Sequence, residues 1–102
     1  MLTMHRRTKA LQISPDVKRR VYERDGRCIL CHRPGSPDAH YIPRSQGGLG
    51  IEKNIITLCP SCHMAYDQGF ARRELGIEIR AYLMKCYPDW DEADLVYRKD
   101  KR

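Results

Sequence analysis

Apolar residues along this chain change their spacing from helical to alternating and back to helical. Ser14, Pro15 and Asp16 supply a cap, a first-turn proline and a first-turn acid, and the segment PDVKRRVYERDG then predicts a helix that Gly26 stops. Val17, Val21 and Tyr22 are expected on its inner face, with the Lys and Arg side chains outward. Turn residues fill HRPGSPD, after which AHYI and IITL read as two short strands joined by the glycine-rich loop PRSQGGLGIEKN, a hairpin. PSCHMAYDQG predicts a short helix starting at Pro60 or Ser61 and ending at Gly69. Apolar positions then recur at helical intervals through Ala71, Leu75, Ile79, Leu83 and Cys86, so a longer amphipathic helix is expected in spite of Gly76. PDWDEADLVYRKDKR adds a short helix with an acidic start and a basic end, with Trp90 as the anchor that packs it on the body. The fold class is α+β, without internal repeats or low-complexity segments.

A chain of 102 residues makes one domain, and one this short buries too little apolar surface to be very stable unless something else pins it. The expected division is a basic tail over 1–13, a stapled core with its preceding helix over 14–69, and C-terminal helices over 70–102. Lys and Arg number 19 against 13 Asp and Glu, a net charge of +6 that favours a polyanionic partner such as nucleic acid. No run of 18 apolar residues is present, so no membrane span is expected. MLTMHRRTKALQIS is basic but lacks the apolar core of a secretion signal, which makes a reducing cytoplasm the expected setting and disulfides unexpected.

Four of the five cysteines then supply the staple. Cys28 and Cys31 in CILC, and Cys59 and Cys62 in CPSC, each place two sulfurs where a tight knuckle aims both at one ion. Four thiolates complete a tetrahedral shell around Zn²⁺ and leave no open position, so this zinc is expected to be structural. The 27 residues between the pairs leave room for the hairpin and loop. Cys86 falls on an apolar helix face, where a buried thiol without a role is the default.

The resulting order is knuckle, strand, loop, strand, knuckle, helix. His40 lies on the first strand and His63 on the helix, 23 positions later, with Asn54 between them. With CILC, AHYIPRSQGG and EKNIITLCPSCH in this order, residues 20–69 resemble the HNH endonuclease family and its ββα-metal (His-Me finger) fold. The flanking ISPDVKRRVYERDG and basic C-terminal helices resemble those of small free-standing members, often encoded by phages and prophages. The resemblance implies a DNA endonuclease in which His40 is the general base, His63 presents a metal ligand, and Asn54 ties the loop to the hairpin and holds His40 in line. It implies a catalytic divalent ion, Mg²⁺ or Mn²⁺, besides the zinc. Asp67 follows His63 by one helical turn, so its carboxylate points the same way and is suited to join that shell. Products with a 3′-hydroxyl and a 5′-phosphate follow from the same resemblance. One site on a monomer or weak dimer makes nicking the natural activity, and a phage terminase is the partner that the resemblance brings into view, in a host cytoplasm.

One position departs from the family. The residue before the catalytic histidine usually carries a ligand atom, and here it is Ala39. Asp38 is the nearest carboxylate, and it completes the expected set of His63, Asp67 and Asp38 only if the backbone bends there, because successive strand residues face opposite sides. Arg44 is a candidate phosphate-binding residue, while His5 and His32 are expected to be surface residues. Two other classes remain beside the nuclease: a noncatalytic zinc-stapled DNA-binding module, which Ala39 favours, and a zinc-stapled protein-interaction domain. Neither accounts for the His, Asn, His spacing.

Overall fold

A computed structural model describes residues 6–98; His5 and residues 99–102 of the basic end lie outside the described residues. Helix α1 spans Arg6–Leu11, α2 Pro15–Asp25, strand β1 Ser36–His40, β2 Ile55–Leu58, α3 Pro60–Asp67 and α4 Arg72–Cys86. Single 3-10 turns occupy Arg44–Gln46, Glu52–Asn54 and Glu92–Leu95. The two strands form one antiparallel hairpin, α2 and α3 pack on it and α4 packs on α3, which is the α+β arrangement of the ββα-metal fold.

The caps behave as their residue types dictate. Ser14 accepts a hydrogen bond from the Val17 amide at 3.2 Å, Pro15 opens α2, and Gly26 closes it in a positive-φ conformation. Val21 is fully buried, but Tyr22, expected inside, is 49% exposed. One residue rotates a helix by about 100°, so a face centred on Val21 carries Tyr22 away from the hairpin.

The ladder pairs Ser36 with Leu58, Ala39 with Ile56 and His40 with Ile55. Two residues on β1, 37 and 38, therefore oppose one on β2, Thr57, between the first two pairs, which is a β-bulge. The first strand lies further towards the N-terminus than AHYI. It ends at His40 because the Asn54 side chain takes both backbone groups of Ile42, and Pro43 has no N–H to continue a ladder.

Two other expectations change. The stretch 1–13, read as a basic tail, contains α1, whose Leu11 is only 2% exposed. The C-terminal segment forms one 3-10 turn instead of a helix, because Val96 and its neighbours are drawn into extended pairing with the hairpin loop. The Leu49 amide donates to the Leu95 carbonyl and the Tyr97 amide to the Gly47 carbonyl, both at 2.8 Å. Gly48 is required at that contact, since a Cβ there would collide with the Ile42 carbonyl.

The core joins Cys28, Ala39, Ile56, Leu58, Cys59, Tyr66, Ile79, Leu83, Trp90 and Leu95. Trp90 anchors the C-terminal segment as expected: its indole N–H donates to the Lys53 carbonyl at 2.7 Å and its ring meets Tyr41 edge-on at 5.8 Å. Cys86, expected to be buried, is partly exposed. Beneath the hairpin, the fully buried Asp25 carboxylate accepts from Arg24, from the Tyr82 hydroxyl and from the Thr57 amide. Burial works against the Arg24 charge, but the Asp25 pairing outweighs it and holds the guanidinium firmly protonated. Arg24 also donates to the Ile55 carbonyl at 2.7 Å and the Glu52 carbonyl at 2.9 Å, which fixes the start of β2 and hence Asn54.

Candidate metal centre and adjoining cleft

Two knuckles bring the four predicted cysteines together. At the first, the His32 amide donates to the Cys28 carbonyl at 3.0 Å, with His32 itself exposed and at a φ of 67°. At the second, Cys59 caps α3 by accepting from the Cys62 amide. The sulfurs of Cys28, Cys31, Cys59 and Cys62 all lie within 4.8 Å of one another, and those of Cys31 and Cys59 are 3.4 Å apart. Zn–S bonds of about 2.3 Å in a tetrahedron put sulfurs on the order of 3.8 Å apart, so the quartet fits a structural zinc.

The protonation chemistry agrees. Burial pushes the Cys28 thiol up, but the amides of Cys59, Cys31 and Leu30 outweigh it and bring Cys28 down to about 6. The Cys62 amide likewise lowers Cys59. Cys62 is raised, by burial and then by the sulfur of Cys59. Cys31 is raised by the Cys59 sulfur although the Arg33 amide opposes this. Neighbouring sulfurs raise Cys31 and Cys62, and a dication is what allows four thiolates in one place.

Beside this quartet lies an open cleft of about 490 Å³ lined by Asp38, His40, Arg44, His63, Asp67 and Arg72 among others. Cys62 and His63 are consecutive in α3, so the second knuckle also sets the position of the His63 ring. His63 Nε2 lies 3.0 Å from Asp67 Oδ2, the i, i+4 relation expected from sequence. Adjacent ligand atoms of an octahedral shell with bonds of about 2.1 Å are separated by about 3 Å, so this pair is suited to two neighbouring positions on a Mg²⁺-sized ion. Asp38 lies on the other side of the same ring, with Oδ1 at 3.8 Å from Nδ1. The two carboxylates thus address opposite nitrogens of His63. Among the described residues only the cysteine quartet brings three or more ligand atoms together within 4.8 Å.

Strand alternation explains why Asp38 is here. Ala39 is fully buried against the core, while Asp38 and His40, two positions apart, both face the cleft. A carboxylate therefore lines the cleft from residue 38, on the same face as His40 by ordinary alternation, and the bend that the sequence reading required between them is not needed.

His40 is held from behind. Its Nε2 is 3.0 Å from the Leu11 carbonyl; a carbonyl only accepts, so Nε2 carries the proton and Nδ1 keeps the lone pair. Burial lowers the pKa of His40, the Leu11 bond works in the opposite direction, and the nearby Arg44 charge lowers it further. Asn54, fully buried, donates from Nδ2 to the Leu49 carbonyl at 2.8 Å and the Ile42 carbonyl at 3.2 Å, and accepts from the Ile42 amide at 2.8 Å. It closes the loop across the exit of β1, in contact with backbone and away from the cleft lining.

Two groups escaped the sequence reading. Arg72 borders the cleft, stacks 4.3 Å from the Tyr66 ring and donates to the Tyr41 carbonyl at 3.3 Å. A faint signal existed, since an arginine pair opens α4 where its charge opposes the helix dipole. The Leu11 carbonyl has no side-chain signature and was not detectable. The cleft runs into a groove holding Lys18 on one side and into one holding Arg73 and Arg80 on the other, a cationic path across His40 that suits a polyanionic strand.

The HNH endonuclease family model matches residues 28–68, the segment holding both knuckles, the hairpin and α3. The chain is also 40% identical over 57 residues to Anaredoxin of Nostoc sp. (strain PCC 7120 / SAG 25.82 / UTEX 2576), across 54% of this chain and 70% of that protein. The chain belongs to the HNH endonuclease family. No solved structure matches it. As an HNH protein it has a nuclease-type function implied, with DNA as the substrate class. No helix among the described residues is long and apolar enough to cross a membrane.

Proposed function

We propose that this HNH protein is a metal-dependent endonuclease that nicks DNA, with the whole chain acting as one nuclease domain. The observation that carries the reading is the convergence of His40, His63, Asp67 and Asp38 on one cationic cleft, with His40 polarised so that Nδ1 is the free nitrogen.

His40 Nδ1 takes a proton from a water that attacks phosphorus from the cleft side; general-base assistance of this kind is worth about 10²–10⁴ in rate. The bond from phosphorus to the 3′ oxygen breaks as the new one forms, and that oxygen leaves with a proton from solvent, giving a 3′-hydroxyl and a 5′-phosphate. His63 Nε2 and the Asp67 carboxylate would hold a divalent ion, Mg²⁺ or Mn²⁺, which when bound neutralises the scissile phosphate and stabilises the departing oxygen. Asp38 steadies the His63 ring through Nδ1, a carboxylate placed to orient a ligand and not to share its ion. Arg44 and Arg72 hold the flanking phosphates, and Asn54 keeps the loop closed around His40.

The alternative, a noncatalytic DNA-binding module, draws its support from Ala39, which leaves residue 39 without a ligand atom. Conversion of supercoiled plasmid to open circle in Mg²⁺, Mn²⁺ or EDTA tests the reading. Nicking that requires the divalent ion and is lost in zinc-loaded His40→Ala supports it; a wild-type protein that binds DNA in a salt-dependent way but never cuts in either metal sinks it.

A further inference from the structure

We propose that α1 is a working part of the cleft: through the Leu11 carbonyl it acts as a positioning element that holds His40 in the Nε2–H tautomer and keeps Nδ1 free. This rests on the reading of His40 as the base.

A helix of six residues does not persist alone in water, so the place of α1 is set by its contacts. Leu11 is its buried anchor. The Gly50 amide donates to the Ala10 carbonyl at 3.0 Å, and Arg7 reaches the Arg44 carbonyl at 3.4 Å. Gly50 is what permits the approach, because a Cβ there would run into the Gln12 carbonyl. Leu11 is the last residue of α1, so its carbonyl has no intrahelical partner and is free to accept from His40. The 28–68 segment that carries the family match contains His40 but not this acceptor, which arrives from 29 positions upstream. The geometry makes the base of the cleft conditional on a separately docked helix: with α1 displaced, nothing selects which ring nitrogen carries the proton, and half of the hydrogen-bond logic of the base is lost.

The tautomer is directly readable. Two-bond ¹H–¹⁵N correlation spectra of the zinc-loaded full chain at pH 8 are expected to show His40 as a single Nε2–H species. In Gly50→Ala, where the added methyl displaces the Gln12 carbonyl, an Nδ1–H population is expected to appear, and kcat for nicking to fall about 10- to 100-fold with KM and zinc content unchanged. Leu11→Ala, which weakens the anchor without crowding the loop, should move both readouts the same way and serves if Gly50→Ala does not load zinc. An Nδ1–H tautomer in the wild type, a pure Nε2–H tautomer in both variants, or a changed tautomer with unchanged kcat would overturn the proposal. Nicking that survives His40→Ala would instead remove the base reading, and the spectra separate the two failures.

Discussion

The Tyr66 hydroxyl donates to the Tyr41 carbonyl across 2.7 Å, tying the helix that carries His63 to the residue that follows His40. Burial pushes the Tyr66 phenol up to about 12, so it remains a donor at any assay pH. Tyr66→Phe should cost about 1 kcal/mol in thermal or urea unfolding, the net value of one such bond. The larger effect is expected in kcat for plasmid nicking, because the bond fixes the two halves of the cleft against each other. Equal kcat in the variant would mean that the hairpin and α3 are held in register by the core alone.

Asn54 makes three hydrogen bonds to backbone groups of Ile42 and Leu49 in a site without solvent. Asn54→Ala leaves all three groups buried and unsatisfied, and a loss of about 3 kcal/mol or more in chemical denaturation is expected. Asn54→Asp keeps the acceptor but offers a carboxylate to two carbonyls, so it should be no better than the alanine variant.

Installing a carboxylate at residue 39 should harm this protein. Ala39 is fully buried against the core, opposite Ile56, with no solvent access. Ala39→Asp buries a charge without a partner, and a drop of several kcal/mol in stability with no gain in Mn²⁺ affinity is expected from melting and metal titration. By contrast Asp38→Asn, at an exposed position beside His63 Nδ1, should leave the fold intact and weaken divalent-ion affinity by about 10-fold, the scale of outer-shell partners.

Removing the structural ion should unfold the chain outright. Apparent zinc-binding energies of about 10–16 kcal/mol in Cys/His sites equal or exceed the whole stability of a domain this small. Circular dichroism during titration with a strong chelator is expected to lose its cooperative melting transition, and re-addition of Zn²⁺ to restore it. A cooperative melt that persists in the metal-free protein would show that the hydrophobic core suffices.

Acid should inactivate late. With burial lowering the pKa of His40, the imidazole stays neutral in a pH range where a solvated histidine is already charged. The acid limb of kcat/KM is therefore expected below the ordinary imidazole range. The same shift links to stability: in the window between the lowered folded value and the ordinary value, the unfolded chain binds the proton first. Stability should fall as pH descends through that window and level off below it. His40→Gln should remove this part of the pH dependence.

Much of the site was legible because its chemistry is local in sequence. The CILC and CPSC spacings place four sulfurs without any knowledge of tertiary structure, and the i, i+4 relation puts Asp67 beside His63 on any helix. What could not be read depends on backbone detail. The bulge over residues 37 and 38 has no residue-type signature, and the cleft-facing side of β1 is set by Ala39 packing into the core, which leaves Asp38 and His40 on the other side. The Leu11 acceptor is a main-chain atom, so MLTMHRRTKALQIS showed only its charge. Tyr22 and the C-terminal segment were misjudged where amphipathic patterns are short and a neighbouring element, the loop around Gly48, competes for the same backbone.

Cys62 and His63 occupy adjacent positions on one turn of α3. The chain thus has no spare length between the part that survives and the part that reacts. A change of one residue between Cys59 and Asp67 would shift scaffold and cleft together. Diversification of such a protein has to proceed by substitution along the rim, at positions such as Lys18, Arg73 and Arg80, while α3 keeps its length.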